Sequence, residues 1–85
     1  MASEKLIGRI THYFGKIGVG VIELSQELNV GDTIHVVGGD RDFTQVVTSM
    51  QVEHQEIPKA KAGEAIGLKL DGAAKGDDKV FKVIG

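Results

Sequence analysis

The chain has 85 residues, of which 41% are hydrophobic and 26% are charged, a formal net charge of −2 and no cysteine. This length predicts one domain with one modest core, and the composition excludes a disordered chain. Without cysteine there are no disulfides, catalytic thiols or thiolate zinc ligands, and in the absence of a signal-like apolar segment we expect a cytoplasmic protein. No apolar run is long enough to predict a membrane span.

Short runs of β-branched and aromatic residues, separated by glycine-bearing turns, predict an all-β chain. The first strand is predicted from Lys5 to Phe14 and the second from Val19 to Leu24. Alternation along the first strand puts Leu6 on one face and Ile7 with Arg9 on the other. The charge of Arg9 indicates that its face, with Ile7, is the solvent-exposed one.

The middle of the chain contains a turn that directs the following strand. The segment from Ser25 to Val30 fits either a single helical turn or a loop, and we favour a loop whose Leu28 and Val30 plug one end of the core. Gly31 permits the positive φ of a tight turn, and Asp32 can accept hydrogen bonds from nearby backbone N–H groups. The next strand is predicted to begin directly afterwards.

The second half of the chain predicts three more strands. Gly38 to Asp42 is expected to be an exposed hairpin connection, followed by the longest strand, from Phe43 to Gln55. A strand that opens at Glu64 turns its aliphatic side chains inward, and the last strand runs from Lys79 to Ile84. The core face of the longest strand is predicted to carry Val46, Thr48, Met50, Val52 and His54.

These six strands have no crossover helix between them, so an antiparallel arrangement is expected. Closure of the sheet would remove exposed edges, and the glycines at 8, 18, 20 and 67 are typical of the corners of a coiled sheet. The sequence therefore predicts a small closed six-stranded antiparallel β-barrel, with residues 1–85 as its single domain.

Six segments of the chain together carry a family resemblance: Gly8–Ile10, Gly18–Leu24, Leu28–Ile34, Thr48–Val52, Ala60–Leu68 and Gly76–Val80. In this order they resemble domain 2 of translational GTPases such as elongation factor Tu, and more narrowly the small free-standing translation elongation factor-like proteins. The segment Asp42-Phe43-Thr44-Gln45 is also similar to the barrel at the C-terminus of a collagenase-like peptidase family.

The first resemblance implies a barrel that packs against a GTPase domain and helps to hold the aminoacyl end of tRNA. The GTPase domain itself is missing, so the resemblance implies a non-catalytic module that contacts RNA, a ribosome-associated protein or a separate GTPase. The alternative, implied by the peptidase resemblance, is a protein–protein interaction module that binds no nucleic acid.

Catalytic and cofactor motifs fail on inspection. A phosphate-binding loop needs Gly-x-x-x-x-Gly-Lys-Ser/Thr, but Gly15-Lys16 is followed by Ile17, and Ile10 stands at the leading glycine position. The three histidines lie on separate predicted strands and do not suggest a shared metal site. No nucleophile and base can be paired, so we expect no enzyme activity, no cofactor, no metal and no small-molecule substrate.

The candidate RNA or partner surface combines cations with rings that could stack on bases. The alternative is that these cations only solubilise the outside of the barrel, and the oligomeric state is not predicted. Phe14 could also contact a partner, although we expect it to plug one end of the barrel. The candidate residues are Arg9, Tyr13, Lys16, Arg41, Phe43, Lys59 and Lys61.

Overall fold

The computed structural model describes residues 3–39 and 41–84. Within these ranges the chain consists of strands and turns, and no helix is long and apolar enough to cross a membrane. The strands are β1 (Ser3–Phe14), β2 (Val19–Leu24), β3 (Leu28–Asn29), β4 (Thr33–Gly38), β5 (Arg41–Val46), β6 (Met50–Val52), β7 (Gln55–Ile57), β8 (Lys59–Ala60), β9 (Ala65–Lys69) and β10 (Lys79–Ile84).

Eight of these strands form one sheet in the order β5-β4-β10-β1-β2-β9-β6-β7, and β3 and β8 form a second sheet. Every pairing is antiparallel. The predicted all-β antiparallel class is therefore confirmed. The strand order has two ends, β5 and β7, so a closed six-stranded barrel is not confirmed.

A side chain, rather than a backbone ladder, holds β5 beside the end of β9. The buried amide of Gln45 donates a hydrogen bond to the Lys69 carbonyl oxygen at 2.9 Å and accepts one from the Asp71 backbone N–H at 2.7 Å. These two bonds satisfy the donor and acceptor of a buried amide, whose desolvation would otherwise be unfavourable. The sheet therefore curls far enough to bring one end strand close to β9.

The curled sheet encloses a single apolar core. It draws on nearly every strand and on the segment that contains Ala74, and no described side chain buries a nitrogen or oxygen atom without a hydrogen-bond partner. The buried core residues are Ile7, Ile10, Ile22, Leu24, Leu28, Ile34, Val36, Val47, Met50, Ala60, Ile66, Leu68, Leu70, Ala74 and Val80.

A bulge interrupts β1, so the prediction for its faces is wrong at Leu6 and Ile7, while Arg9 is exposed as expected. Leu6 pairs with Phe81 and Gly8 with Val80, which leaves Ile7 as an extra residue. An extra residue reverses the alternation of side chains. Ile7 is therefore fully buried, whereas Leu6 is exposed.

The predicted strand from Phe43 to Gln55 is wrong in length and, apart from Met50, which is buried in the core, in most of its predicted core face. β5 already begins at Arg41 and ends at Val46, and the chain then turns before β6. Val46 is 52% exposed, while Val47 is buried in the core. The expected hairpin connection is shorter than predicted, because Gly38 and Arg41 pair with each other. Asp40, which the prediction also placed in this connection, lies outside the described residues.

The turn before β4 agrees with the prediction in its main points. Gly31 has a φ of 99°, and the Asp32 carboxylate accepts a hydrogen bond from the Asn29 backbone N–H at 2.9 Å. Leu28 is fully buried, as expected for a plug of the core, whereas Val30 is exposed.

Gly8 is expected to tolerate no side chain, because a Cβ there would overlap the backbone carbonyl oxygen of Glu23 on β2. We predict that Gly8→Ala lowers the free energy of unfolding by about 1–3 kcal/mol, the usual cost of overpacking. Gly15→Ala is the matched control, since its nearest contact would be an ordinary 3.7 Å to the Tyr13 ring. Urea denaturation of both variants checks this prediction, and equal stabilities would contradict it.

The turn between β6 and β7 offers a stabilising change. Val52 pairs with Gln55, and the two residues between them, Glu53 and His54, have φ values of 52° and 68°. Positive φ at both positions defines a type I′ turn, in which glycine is favoured. We predict that His54→Gly raises the free energy of unfolding by about 0.5–1 kcal/mol.

The matched control for this turn is His12→Gly in β1, where the backbone φ is not positive. Glycine in a strand costs backbone entropy, so the same substitution there is expected to destabilise. Thermal melts of the two variants should shift in opposite directions, and a shift of the same sign would count against the turn assignment.

Candidate interaction surface

The seven residues predicted as an RNA or partner surface lie on different parts of the fold. Arg9 and Tyr13 are on β1, and Lys16 is in the turn that follows it. Arg41 and Phe43 are on β5, an end strand of the large sheet. The remaining two, Lys59 and Lys61, are on β8 and just after it.

Arg41 forms an ion pair with the buried carboxylate of Asp78. Its Nε and Nη2 donate to the two carboxylate oxygens of Asp78 at 2.7 and 2.8 Å, and the Asp78 side chain is only 3% exposed. The Lys75 backbone N–H donates a third hydrogen bond to this carboxylate at 3.0 Å. The Arg41 guanidinium lowers the pKa of Asp78, against the opposing effect of burial.

A lowered pKa in the folded state links this pair to stability at acid pH. The contribution of Asp78 is present above 3.8, the ordinary pKa of its carboxyl, and is lost as the pH falls through the lower folded-state pKa. Gly38 provides space for the pair, because a Cβ at that position would overlap Asp78 Oδ1.

The two predicted stacking rings are partly buried. Tyr13 and Phe43 both pack against the apolar core. Gly72 faces the Phe43 ring so closely that a Cβ there would lie 3.0 Å from the ring carbons. Both rings therefore already contribute to packing within the domain.

The other four predicted cations are exposed. Arg9 lies 3.5 Å from Asp77 and Lys59 lies 3.3 Å from Glu27, in two ion pairs whose side chains are all at least half exposed. Exposed pairs of this kind contribute little to stability.

Arg9 also borders a shallow cleft of 380 Å³ that includes Leu6 and Leu24. Lys79 is opposite Arg9 on β10, and Glu23 is opposite Arg9 on β2. Asp77, Arg9, Lys79 and Glu23 all line this cleft, so two cations and two carboxylates balance there. Its charge favours neither an anionic nor a cationic ligand.

A different part of the surface is apolar. Phe14 is 46% exposed and Ile17 63% exposed, so the prediction that Phe14 plugs the barrel end is wrong. Phe14 pairs with Val19 at the start of β2, and the backbone N–H groups of Ile17 and Gly18 donate to the Phe14 carbonyl oxygen. This tight turn holds both apolar side chains at the surface.

These two residues open onto a groove of 340 Å³, which we call the apolar groove. Val19 and Val21 of β2 are half-buried along it, and the turn between β6 and β7 forms one side. The lining provides no hydroxyl or thiol group. Its residues are Phe14, Ile17, Val19, Val21, Gln51, Glu53, His54, Ala65, Ile66 and Gly67.

Sequence reasoning noted Phe14 but missed the groove. The signal that could have found it is the exposed turn itself, where an isoleucine stands between a lysine and a glycine. Exposed apolar residues grouped beside a groove make this surface a candidate for interaction.

No protein-family model matches the chain. Two curated relatives match along most of it. The chain is 38% identical over 76 residues to an uncharacterised protease of Methanocaldococcus jannaschii, and this alignment covers 88% of the chain and 19% of the protease. It is 30% identical over 78 residues to a collagenase of Porphyromonas gingivalis, and that alignment covers 89% of the chain and 22% of the collagenase. The chain thus spans about a fifth of the length of these relatives.

Two solved structures share the fold. Both are of the C-terminal domain of a Geobacillus thermoleovorans protein described as a U32 peptidase, one of them a selenomethionine variant. The first has a TM-score of 0.86 and covers 92% of this chain and 91% of its own. The selenomethionine variant has a TM-score of 0.85 and covers 89% of this chain and 96% of its own. Both are 18% identical to this chain in sequence. The likeness establishes a shared fold over almost the whole domain.

These findings correct the resemblance to domain 2 of translational GTPases and to free-standing elongation factor-like proteins, which is wrong. The matching relatives and structures are a protease, a collagenase and a peptidase domain. The RNA-binding role that rested on that resemblance is withdrawn with it. The alternative, a module like the C-terminal barrel of collagenase-like peptidases, agrees better with the comparisons.

The two arginines of the predicted surface are expected to differ sharply in their effect on stability. Removal of one partner from a buried ion pair leaves an uncompensated charge, so Arg41→Ala should lower the free energy of unfolding by about 3 kcal/mol. Arg9→Ala removes only an exposed pair and should cost less than about 1 kcal/mol. Urea denaturation at pH 7 compares them, and equal losses would contradict the structural role of Arg41.

Proposed function

We propose that this chain is a non-catalytic module of the U32 peptidase kind that binds a peptidase-like polypeptide. The observation that carries the proposal is that most of this chain matches a small part of much longer relatives. Nearly 90% of this chain aligns with only about a fifth of two longer proteins named protease and collagenase. A segment that recurs as a small part of larger proteins and forms its own core is typical of an accessory domain.

The solved structures support the same proposal. The C-terminal domain of the Geobacillus protein covers this fold almost completely, with a TM-score of 0.86. In that protein the domain belongs to a longer peptidase chain, so its natural neighbour is the remainder of that chain. We propose the same kind of neighbour for the present domain.

The apolar groove is the surface that we assign to this contact. Phe14 and Ile17 can be buried by a partner, and burial of exposed apolar side chains is the main source of affinity at the centre of protein interfaces. Lys16 lies in the same turn, directly before Ile17, so it is the member of the predicted surface that we retain for partner contact.

The proposal that the module is non-catalytic rests on its small share of the relatives and on the groove lining. About four-fifths of each relative lies outside the matched part, which leaves ample chain for a catalytic domain. Within the groove His54 has no hydroxyl or thiol neighbour that it could activate. A cytoplasmic location stays a prediction from composition.

The test uses the Methanocaldococcus protease from which the matching segment has been deleted, with its folding checked by circular dichroism. We expect the present chain to bind this truncated protease in isothermal titration calorimetry. It should not bind the intact protease, whose own segment would occupy the site. We expect the chain alone to hydrolyse neither gelatin nor casein.

Two matched variants locate the surface. Ile17→Asp places a charge in the apolar groove and should weaken binding about tenfold or more, as expected for an interface centre. Val46→Asp makes the same kind of change at another exposed β-branched residue, outside the groove, and should leave affinity within about twofold. Absence of binding to the truncated protease, or equal effects of the two variants, would contradict the proposal.

A further inference from the structure

A histidine links three strands on the outer face of the large sheet. His35 on β4 points one ring nitrogen, Nδ1, at the carboxylate of Glu4 on β1, with distances of 2.9 and 2.8 Å to its two oxygens. The other nitrogen, Nε2, forms a short hydrogen bond with the carboxylate of Asp42 on β5. The ring is only 19% exposed and lies beside Phe81 of β10, with 6.4 Å between ring centroids.

The two carboxylates belong to segments that are weakly held by the backbone. Residues 3–6 of β1 pair with β10 alone, because pairing with β2 starts only at Gly8. β5 is an end strand of the sheet and pairs with β4 alone. His35 therefore links two segments, each paired with a neighbouring strand along one edge only, across the outer face of β10.

The number of protons on the ring decides whether both contacts can exist. Ionised carboxylates only accept hydrogen bonds, and a charged imidazolium has two N–H donors, one for each of them. A neutral imidazole has one N–H, so its other nitrogen presents a lone pair to a carboxylate. One of the two contacts must then weaken.

The surroundings favour the charged ring. The hydrogen bond to Glu4, and then the one to Asp42, raises the pKa of His35 above its ordinary value of 6.5, against a smaller opposing effect of burial. From β10, the uncharged Phe81 contacts the ring, and the cation on the same face of that strand is Lys79, in register with Val37. Thr44, opposite His35 on β5, is uncharged.

We propose that His35, Glu4 and Asp42 form a pH-responsive latch that fastens the beginning of β1 and the end strand β5 to the rest of the sheet, and that loss of one proton opens it. Its opening does not require the domain to unfold, because both segments keep their pairing on one side. The latch is independent of the proposed partner and operates in the isolated chain.

The sign of the effect follows from the direction of the pKa change. A group whose pKa is raised by folding stabilises the folded state fully below its unfolded-state value, here 6.5. That stabilisation is lost as the pH rises through the higher folded-state pKa. The latch is thus closed while the ring carries both protons and the two carboxylates are ionised, and it opens as the pH rises through the raised pKa of His35.

The test follows His35 and the two segments by NMR on the whole chain. We expect the ring ¹⁵N shifts of His35 to show two protonated nitrogens at pH 6, below the ordinary pKa of 6.5, and a titration midpoint above that of a histidine in a short peptide. Amide protection at residues 4–6 and 42–44 should fall about two- to fivefold with the same midpoint, after correction for base-catalysed exchange. Residues 20–23 of β2, paired on both sides, should show no such step.

Variants distinguish an effect of the latch residues from a general effect of surface charge. His35→Gln cannot titrate and should abolish the step in protection, and Glu4→Gln together with Asp42→Asn should do the same. Lys59→Gln breaks an exposed ion pair that contains no histidine and should leave the step unchanged. A neutral His35 at pH 6, or protection that stays flat through its titration, would overturn the proposal. Dispersed amide spectra establish that each variant is folded.

Discussion

The close approach of two backbones at Gly8 is the constraint on which the rest of the structure depends. A Cβ there would overlap the Glu23 carbonyl oxygen, so only glycine lets β1 and β2 pack this tightly. The bulge at Ile7, one residue earlier, turns that side chain into the same core as Ile10. With β1 bent in this way, the sheet can curl until Gln45 reaches the end of β9. A single core results, and Phe14 and Ile17 stay outside it.

The sequence predicts strand bounds and turns, but it does not predict which distant strands and side chains pair. The bounds of β2 and β10 and the turn at Gly31 and Asp32 were predicted correctly, because alternation and turn residues act within a few positions. The burial of Ile7 was missed, since a bulge depends on how two distant strands pair. Arg41 was taken for a surface cation because its partner, Asp78, lies 37 residues away.

The error in the family has a physical origin as well. Glycine corners and a Val-Gly-Asp turn before a strand are needed by any small antiparallel sheet that curls around one core. Such features identify a fold more readily than a function. Only comparison along the whole chain separated the peptidase-associated relatives from the translation factors. The apolar groove differs from these packed features in that Phe14 and Ile17 beside it stay exposed.

We propose that this groove receives a peptidase-like polypeptide. The most direct measurement is the amide spectrum of the ¹⁵N-labelled chain during titration with the unlabelled Methanocaldococcus protease that lacks its matching segment. We expect saturable shift changes or signal loss concentrated at residues 14–21 and 65–67. Changes concentrated at residues 59–61, or a spectrum that does not respond to the protease, would contradict it.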